Sequence, residues 1–332
     1  MKRAHDVASP DLTPFAEMGR SYLHDRVRES WPFRYLDDRG LALPMSRFVR
    51  LAIRSPLEAV SQLVSEHRSQ HSRGRPIVVF ALPKSGSTLT ELVLRTNGYI
   101  DLMHSVRFRT ATATIGSSAS EQVQRLFRWT PPGRAAFAKV HSPFDPDFRG
   151  ALAAREACGV IQVRDIRDAL VSRYHHIMAS PRHRHHAMLR GLSEAEGIKR
   201  SFFGAQPGSG DDAVSYFSAW IVDWVSSGHF PVLRYEDFVL DLNSSIDRLI
   251  AAMGQPPEDR ERLLHAVEAD RQRGSRTTLQ ARLGGRGRTF STFRRGVIGS
   301  WREIFDQETI DLVKQHANRA LVVAGYERDD QW

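Results

Sequence analysis

One stretch constrains this chain more than any other: Ile77-Val78-Val79-Phe80-Ala81-Leu82, then Pro83-Lys84-Ser85-Gly86-Ser87-Thr88. Six apolar residues in succession suit a strand buried on both faces, as in a parallel sheet. A Gly/Ser/Thr turn follows at once, and Leu89, Leu92 and Val93 then recur at helical spacing. Strand, tight turn and helix in that order put unpaired helix N–H groups and partial positive charge at the strand end, where an anion is stabilised. Backbone N–H groups of Ser85 to Thr88 point into such a turn. Gly86 lets the backbone approach closely, and Ser87 and Thr88 add hydroxyl donors. The other reading of so short a motif is a Gly/Ser turn with no ligand. A nucleoside triphosphatase loop has its lysine directly before Ser/Thr, whereas Lys84 precedes the whole turn.

From Arg75 onward the chain alternates between the same two elements. Strands are predicted at 77–82, 137–140, 159–163 and 232–235, and helices at 87–96, 166–178, 212–227, 244–253 and 306–324, with Gly98 and Gly228 at C-cap positions. The expected fold class is α/β, a central parallel sheet flanked by helices. Residues 1–73 read as a helical N-terminal extension and 74–332 as the main domain. Within the extension, Ser55, Pro56 and Glu58 form an N-terminal helix signature. Met45, Phe48, Val49 and Ala52 share a helical face with Arg47, Arg50 and Arg54 interleaved, which suits a helix packed on the main domain or one lying on a membrane surface.

Bulk charge narrows the partners without choosing one. The 332 residues carry 47 Lys+Arg against 38 Asp+Glu, a net +9, which favours an anionic ligand, a nucleic acid or a membrane surface. The single cysteine, Cys158, excludes an intrachain disulfide and a thiolate zinc site. The N-terminus has no apolar signal core, and no apolar run reaches the ~20 residues that span a bilayer. A soluble, cytoplasmic protein is expected.

Two further segments carry chemistry. In VIQVRDIRDALVSRYHH (160–176) a buried strand ends at Arg164, Asp165 is placed to cap the next helix, and Asp168 takes the capping-box position. Arg164 and Ser172 converge on one anion, or Arg164 pairs with Asp168. In TFSTFRRGVIGSWREIF (289–305), Arg294, Arg295 and Gly296 form an anion clamp whose backbone also donates. Between them, arginine and glycine crowd 271–288 in what reads as a mobile basic loop.

The three segments, in this order and spacing, resemble the soluble (cytosolic) type of sulfotransferase that uses 3′-phosphoadenosine-5′-phosphosulfate (PAPS). PKSGSTL is similar to the family's PKSGTTW. RDIRDALVSRY fits R-N-x-x-D-x-x-V-S-x-Y with Asp165 in place of asparagine. RRGVIGSWREIF fits R-K-G-x-x-G-D-W-K-x-x-F, with Arg295, Ser300 and Arg302 as departures. LRYEDF (233–238) and AGY (324–326) are weaker echoes. The resemblance covers about residues 75–327.

It implies a P-loop-like fold and sulfuryl transfer to an acceptor hydroxyl or amine, with PAPS as co-substrate, 3′-phosphoadenosine-5′-phosphate (PAP) as product, and no metal. AKVHSPF (138–144) matches the family's K-T-H-x-P and makes His141 the general base, with His104 a distant second candidate. An ordinary histidine pKa of ~6.5 suits that role near neutrality. By the same resemblance Lys84 stabilises the leaving phosphate, Lys139 reaches the transferring group, and Ser172 restrains Lys84 until acceptor arrives. Lys84, Ser85, Gly86, Ser87 and Thr88 cradle the 5′ end. Arg164, Ser172, Arg294, Arg295 and Gly296 hold the 3′-phosphate. Leu89 and Leu279 stand where the family has adenine-stacking aromatics, leaving Tyr235 as the main base contact.

Phe144 and His176 are expected near the acceptor, beside the basic HRHH loop (183–186), which lacks the carboxylate or thiol a metal site would add. REIFDQETID fits the family's dimer contact poorly, so oligomeric state stays open. A small molecule, a glycan, a lipid or a carrier-bound group remains the acceptor class. The rivals are a P-loop kinase, which lacks its loop lysine and magnesium acid here, and a non-enzymatic nucleotide or nucleic-acid binder. The latter lacks aromatic-basic interleaving, so no nucleic-acid partner is expected.

Overall fold

The structure is a computed structural model, and it describes residues 74–102, 118–127, 130, 133–181, 183, 185–204, 212–254, 260, 261, 263–265, 267, 268 and 298–332. The expected N-terminal helices, the 271–288 loop, His104, Leu279 and the Arg294-Arg295-Gly296 clamp lie outside the described residues.

Five strands form one parallel sheet: β1 (Ile77–Ala81), β2 (Ile100–Asp101), β3 (Ala136–Val140), β4 (Cys158–Val163) and β5 (Val232–Arg234), in the spatial order β2-β3-β1-β4-β5. Every residue of β1 is buried. Its side chains divide by the period of two: Val78 and Phe80 enter one hydrophobic cluster, Ile77, Val79 and Ala81 the other. That two-sided burial is why the strand reads as an unbroken apolar run rather than an alternation.

Helices cover both faces: α1 (Thr88–Thr96), α2 (Ala119–Phe127), α3 (Phe148–Ala153), α4 (Ile166–Met178), α5 (His186–Leu189), α6 (Glu194–Phe203), α7 (Ala213–Ser226), α8 (Tyr235–Leu240), α9 (Leu242–Met253) and α10 (Gln307–Val323). The predicted helices match α1, α4, α7, α9 and α10 to within two residues at each end. Gly98 and Gly228 adopt positive φ, 80° and 60°, just past two of the helix ends, where an L side chain would be strained. Strand β5 stops at Arg234 because Tyr235 already begins α8. No helix among the described residues is long and apolar enough to cross a membrane.

After β1 the chain builds β2 and β3 on one side of it, then crosses to β4 and β5 on the other. The carboxyl end of β1 is therefore the topological switch point, where open α/β sheets form their ligand crevice. The loop Leu82 to Ser87 leaves the sheet there, flanked by the ends of β3 and β4.

Candidate active site

The loop is held from beneath. Gln162, on β4 and 0 % exposed, accepts from Thr90 Oγ1 at 2.7 Å and donates through Nε2 to the Ser85 carbonyl at 3.2 Å. Lys84 and Gly86 both take left-handed φ, 70° and 72°. For Lys84 this is strain of about 1–3 kcal/mol, offset by the surrounding structure. Its carbonyl accepts from Arg164 Nη1 at 3.5 Å. Gly86 has a second reason to be glycine: a Cβ there would stand 2.3 Å from Cδ2 of Tyr235. The N–H groups of Gly86, Ser87 and Thr88 have no backbone partner among the described residues, and Ser85 Oγ is buried with no hydrogen-bond partner there. Such groups are costly unless something fills the turn, and all four are donors. The cradle therefore suits an oxyanion.

Cations surround it. Burial pushes the Lys84 ammonium down to about 8, and the charges of Arg164 and Lys139 push it the same way. Lys139, on β3, is ion-paired with Glu91 in the first turn of α1. Arg164 is buried at the end of β4, its guanidinium 4.5 Å from the Tyr235 ring centroid and 4.0 Å from Asp168 Oδ2.

His141 follows β3 directly. Its Nδ1 lies 2.6 Å from the Ala81 carbonyl, which can only accept, so Nδ1 carries the proton and Nε2 is left as the basic nitrogen. The residue is exposed to solvent, although protein atoms pack densely around its ring. That desolvation is the main reason its pKa falls to about 4, below the ordinary value expected from the sequence; Lys139 and Lys84 lower it further, while the Ala81 bond and Glu91 act upward. The next residue anchors the turn. Trp220 and Trp224 of α7 both donate Nε1–H to the Ser142 carbonyl, at 2.8 and 3.1 Å, and Ser142 Oγ donates to Gln122 at 2.9 Å.

The second segment departs from its expected capping box. Asp165 does cap α4, accepting from Arg167 N at 2.9 Å, and its own N–H donates to Glu236. Asp168 instead turns to the third segment: Gly299 N, Ser300 Oγ and Trp301 N donate to it at 2.6, 2.8 and 3.1 Å. Arg167, 1 % exposed, is clasped by Asp165 and Glu327, and its guanidinium lies 4.2 and 4.4 Å from the ring centroids of Trp301 and Trp332. These contacts tie the third segment and the chain's last residues to the end of β4.

The structure thus gathers Lys84, Ser85, Gly86, Lys139, His141, Arg164 and Tyr235 around the carboxyl ends of β3, β1 and β4. Ser87 is buried in the same turn, Thr88 is exposed at the start of α1, and Ser172 is partly exposed on α4. Phe144 packs against Trp224 and His229, whereas His176 faces His183, so these two belong to separate side-chain groups. Leu89 packs on the apolar core beside β1. Among the described residues no three His, Cys, Asp or Glu side chains form a metal cluster. Reasoning from the sequence missed Glu91, Gln162, Arg167 and the Trp220/Trp224 pair. Glu91 in a first turn reads as dipole complement, and the others read as ordinary strand or helix content.

The sulfotransferase domain family matches residues 75–322. Fifty solved chains or more are similar in structure. They include a retinol dehydratase in complex with androsterone and inactive cofactor PAP, at TM-score 0.48 and 18% identity over 78% of this chain and 85% of that one. A retinol dehydratase with retinol and PAP gives 0.48 and 17% over 79% and 86%. The mouse sulfotransferase SULT7A1 complexed with PAP gives 0.49 and 15% over 80% and 94%. No curated protein matches the chain.

Proposed function

Because the chain belongs to the sulfotransferase domain family, we propose that it moves a sulfuryl group from PAPS to a hydroxyl or amine of an acceptor. The observation that carries this reading is the convergence at one switch point of a donor-rich loop led by Lys84, a histidine with its Nε2 open, and a buried arginine. The orphaned Ser85 hydroxyl and the three unpaired amides beside it fit the 5′ phosphosulfate. Bound there, PAPS supplies a sulfuryl group attached to a stable leaving phosphate.

The chain's own groups divide the remaining work. Lys84 faces the leaving phosphate and offsets its charge, an effect worth roughly 2.7–4 kcal/mol for one such donor. His141 accepts the acceptor's proton at Nε2, Nδ1 being fixed on Ala81. Lys139 lies beside both. Ser172 restrains Lys84 until acceptor arrives. Arg164, Ser172, Arg294, Arg295 and Gly296 hold the 3′-phosphate, and Asp168 anchors Gly299, three positions after Gly296 in the sequence. Tyr235 lies under Arg164 and against Gly86, so it backs the nucleotide cradle. An anion between Lys84 and Lys139 restores basicity to His141, coupling the base to donor binding.

Calorimetric titration tests the reading with PAP, with ATP and magnesium, and with duplex DNA. Low-micromolar binding of PAP alone is expected. Preference for ATP and magnesium supports a phosphotransferase instead, and binding of DNA alone supports a non-enzymatic role. Labelled PAPS incubated with cell extract then identifies the acceptor class among small molecules, glycans, lipids and carrier-bound groups.

A further inference from the structure

Glu91 is the feature of this site that its expected chemistry leaves unexplained. Its carboxylate is 7 % exposed and sits one turn past Ser87, close to a loop whose orphaned donors invite an anion. A fixed negative charge there repels the ligand unless it is neutralised. Both oxygens take a cation: Oε1 pairs with Lys139 and Oε2 with Arg95 Nη2 at 3.3 Å.

The two cations are not equivalent. Arg95 also pairs with Asp101, so it has an anion whether or not Glu91 is charged. Lys139 has Glu91 as its only ion-pair partner among the described residues. It stands opposite Val79 in the β1–β3 register and two residues before His141, and its charge is felt at both Lys84 and His141. An ammonium on a flexible four-carbon stem swings between nearby anions at small cost, as a rigid guanidinium fork does not.

We propose that Glu91 is a positioning residue that stores Lys139 as an exchangeable counter-ion: it holds the ammonium beside His141 before donor binds and yields part of that charge to the donor's anionic end. This rests on the sulfotransferase reading above. Before donor binds, the pair offsets one of the three positive charges that Lys84, Lys139 and Arg164 bring to the site, and aims one lysine in advance.

The sign of the effect on binding separates this role from a structural one. Titration with PAP is run on the wild type, E91Q, E91D, K139Q and E91Q/K139Q, with thermal melts to follow folding. E91Q releases Lys139 and removes a like charge, so PAP binds tighter by on the order of tenfold. K139Q leaves Glu91 without its lysine and weakens PAP binding by a similar factor. The double variant returns near the wild type, and E91D stays near it. Turnover of labelled PAPS against cell extract falls in E91Q despite the tighter binding, because Lys139 is no longer aimed.

Equal or weaker PAP binding by E91Q overturns the counter-ion role alone. If E91Q fails to fold, K139Q and E91D carry the same test: a K139Q affinity equal to that of the wild type overturns the role. Failure of the wild type itself to bind PAP overturns the nucleotide reading and this inference together.

Discussion

The backbone N–H of Gly299 donates to Asp168 Oδ2 at 2.6 Å, joining positions 131 residues apart. Ser300 Oγ and Trp301 N complete the same carboxylate, which is fully buried. Replacing Asp168 with alanine strands three donors, two of them main-chain, and is expected to cost about 3 kcal/mol in urea unfolding. PAP affinity is expected to fall at least tenfold, because Arg294, Arg295 and Gly296 lie three to five positions before the first anchored residue. Asp168→Asn keeps the shape but loses the charge and should fall between. An alanine variant that binds PAP like the wild type would show that the third segment finds its place without this anchor.

Arg167 makes the chain's last residues part of the same construction. Its guanidinium lies against the rings of both Trp301 and Trp332, which meet edge to face, and is paired with Asp165 and Glu327. Removing residues 327–332 deletes one ring and one carboxylate and exposes a buried charge, at an expected cost of about 3–5 kcal/mol. The loss should appear in thermal melting and, through Asp165 and Trp301, in weaker PAP binding. Asp165 still pairs with Arg167 in the truncated chain, so adding Arg167→Leu there strands a buried carboxylate and is expected to lower stability further.

How much of this was legible in the sequence follows from the range of each interaction. The β1 run, the loop and α1 declare themselves because two-sided burial and a tight turn leave local signatures, and α4 was read to the residue for the same reason. Asp168 was misread as a capping-box residue because its true partners lie 131 to 133 positions away, beyond any local pattern. Gly86 was read as making room for a ligand, yet the ring that demands its hydrogen comes from Tyr235. The short helices α3 and α8 carry too few turns to show periodicity. The lowered pKa of His141 could not be read at all, since it depends on protein packed around the ring rather than on neighbours in the chain.

The Lys84 shift gives binding a pH dependence of definite sign. With its pKa lowered to about 8, mainly by burial, the ammonium of the free protein is intact below about pH 7 and lost above 8. A bound phosphate raises that pKa, so PAP affinity should be flat from pH 6 to 7 and then fall up to tenfold per pH unit above 8. Titrations at fixed ionic strength check this. Lys84→Met should bind more weakly at neutral pH and lack the alkaline decline attributable to this group. A wild-type affinity constant through pH 9 would mean Lys84 does not face the anion.

His141 should control rate without controlling affinity. His141→Ala is expected to lower turnover by roughly 10²–10⁴-fold while binding PAP like the wild type. In the free protein its pKa of about 4 makes the ring neutral across the working range, so the acid limb reports deprotonation and activity rises with pH through it. With donor saturating, the added anion moves that limb above 4. Trp220→Phe removes one of the two indole donors on Ser142 and should lower turnover while leaving PAP binding in place, since it loosens only the turn that carries the base.

Gly86→Ala tests the floor of the cradle. Alanine must accept φ near 72° and a Cβ about 2.3 Å from a ring carbon of Tyr235, so either the loop or the ring has to move. The combined cost is expected at about 2–4 kcal/mol, and PAP binding should be lost over the micromolar range. Tyr235 has little freedom to yield, because the Arg164 guanidinium lies on its ring. Tyr235→Ala removes the clash but also that seat, so alone it should weaken PAP binding. Joined with Gly86→Ala it should cost less than the two separate losses added together. Strict additivity in that double-mutant cycle would mean the ring and the loop do not meet in solution.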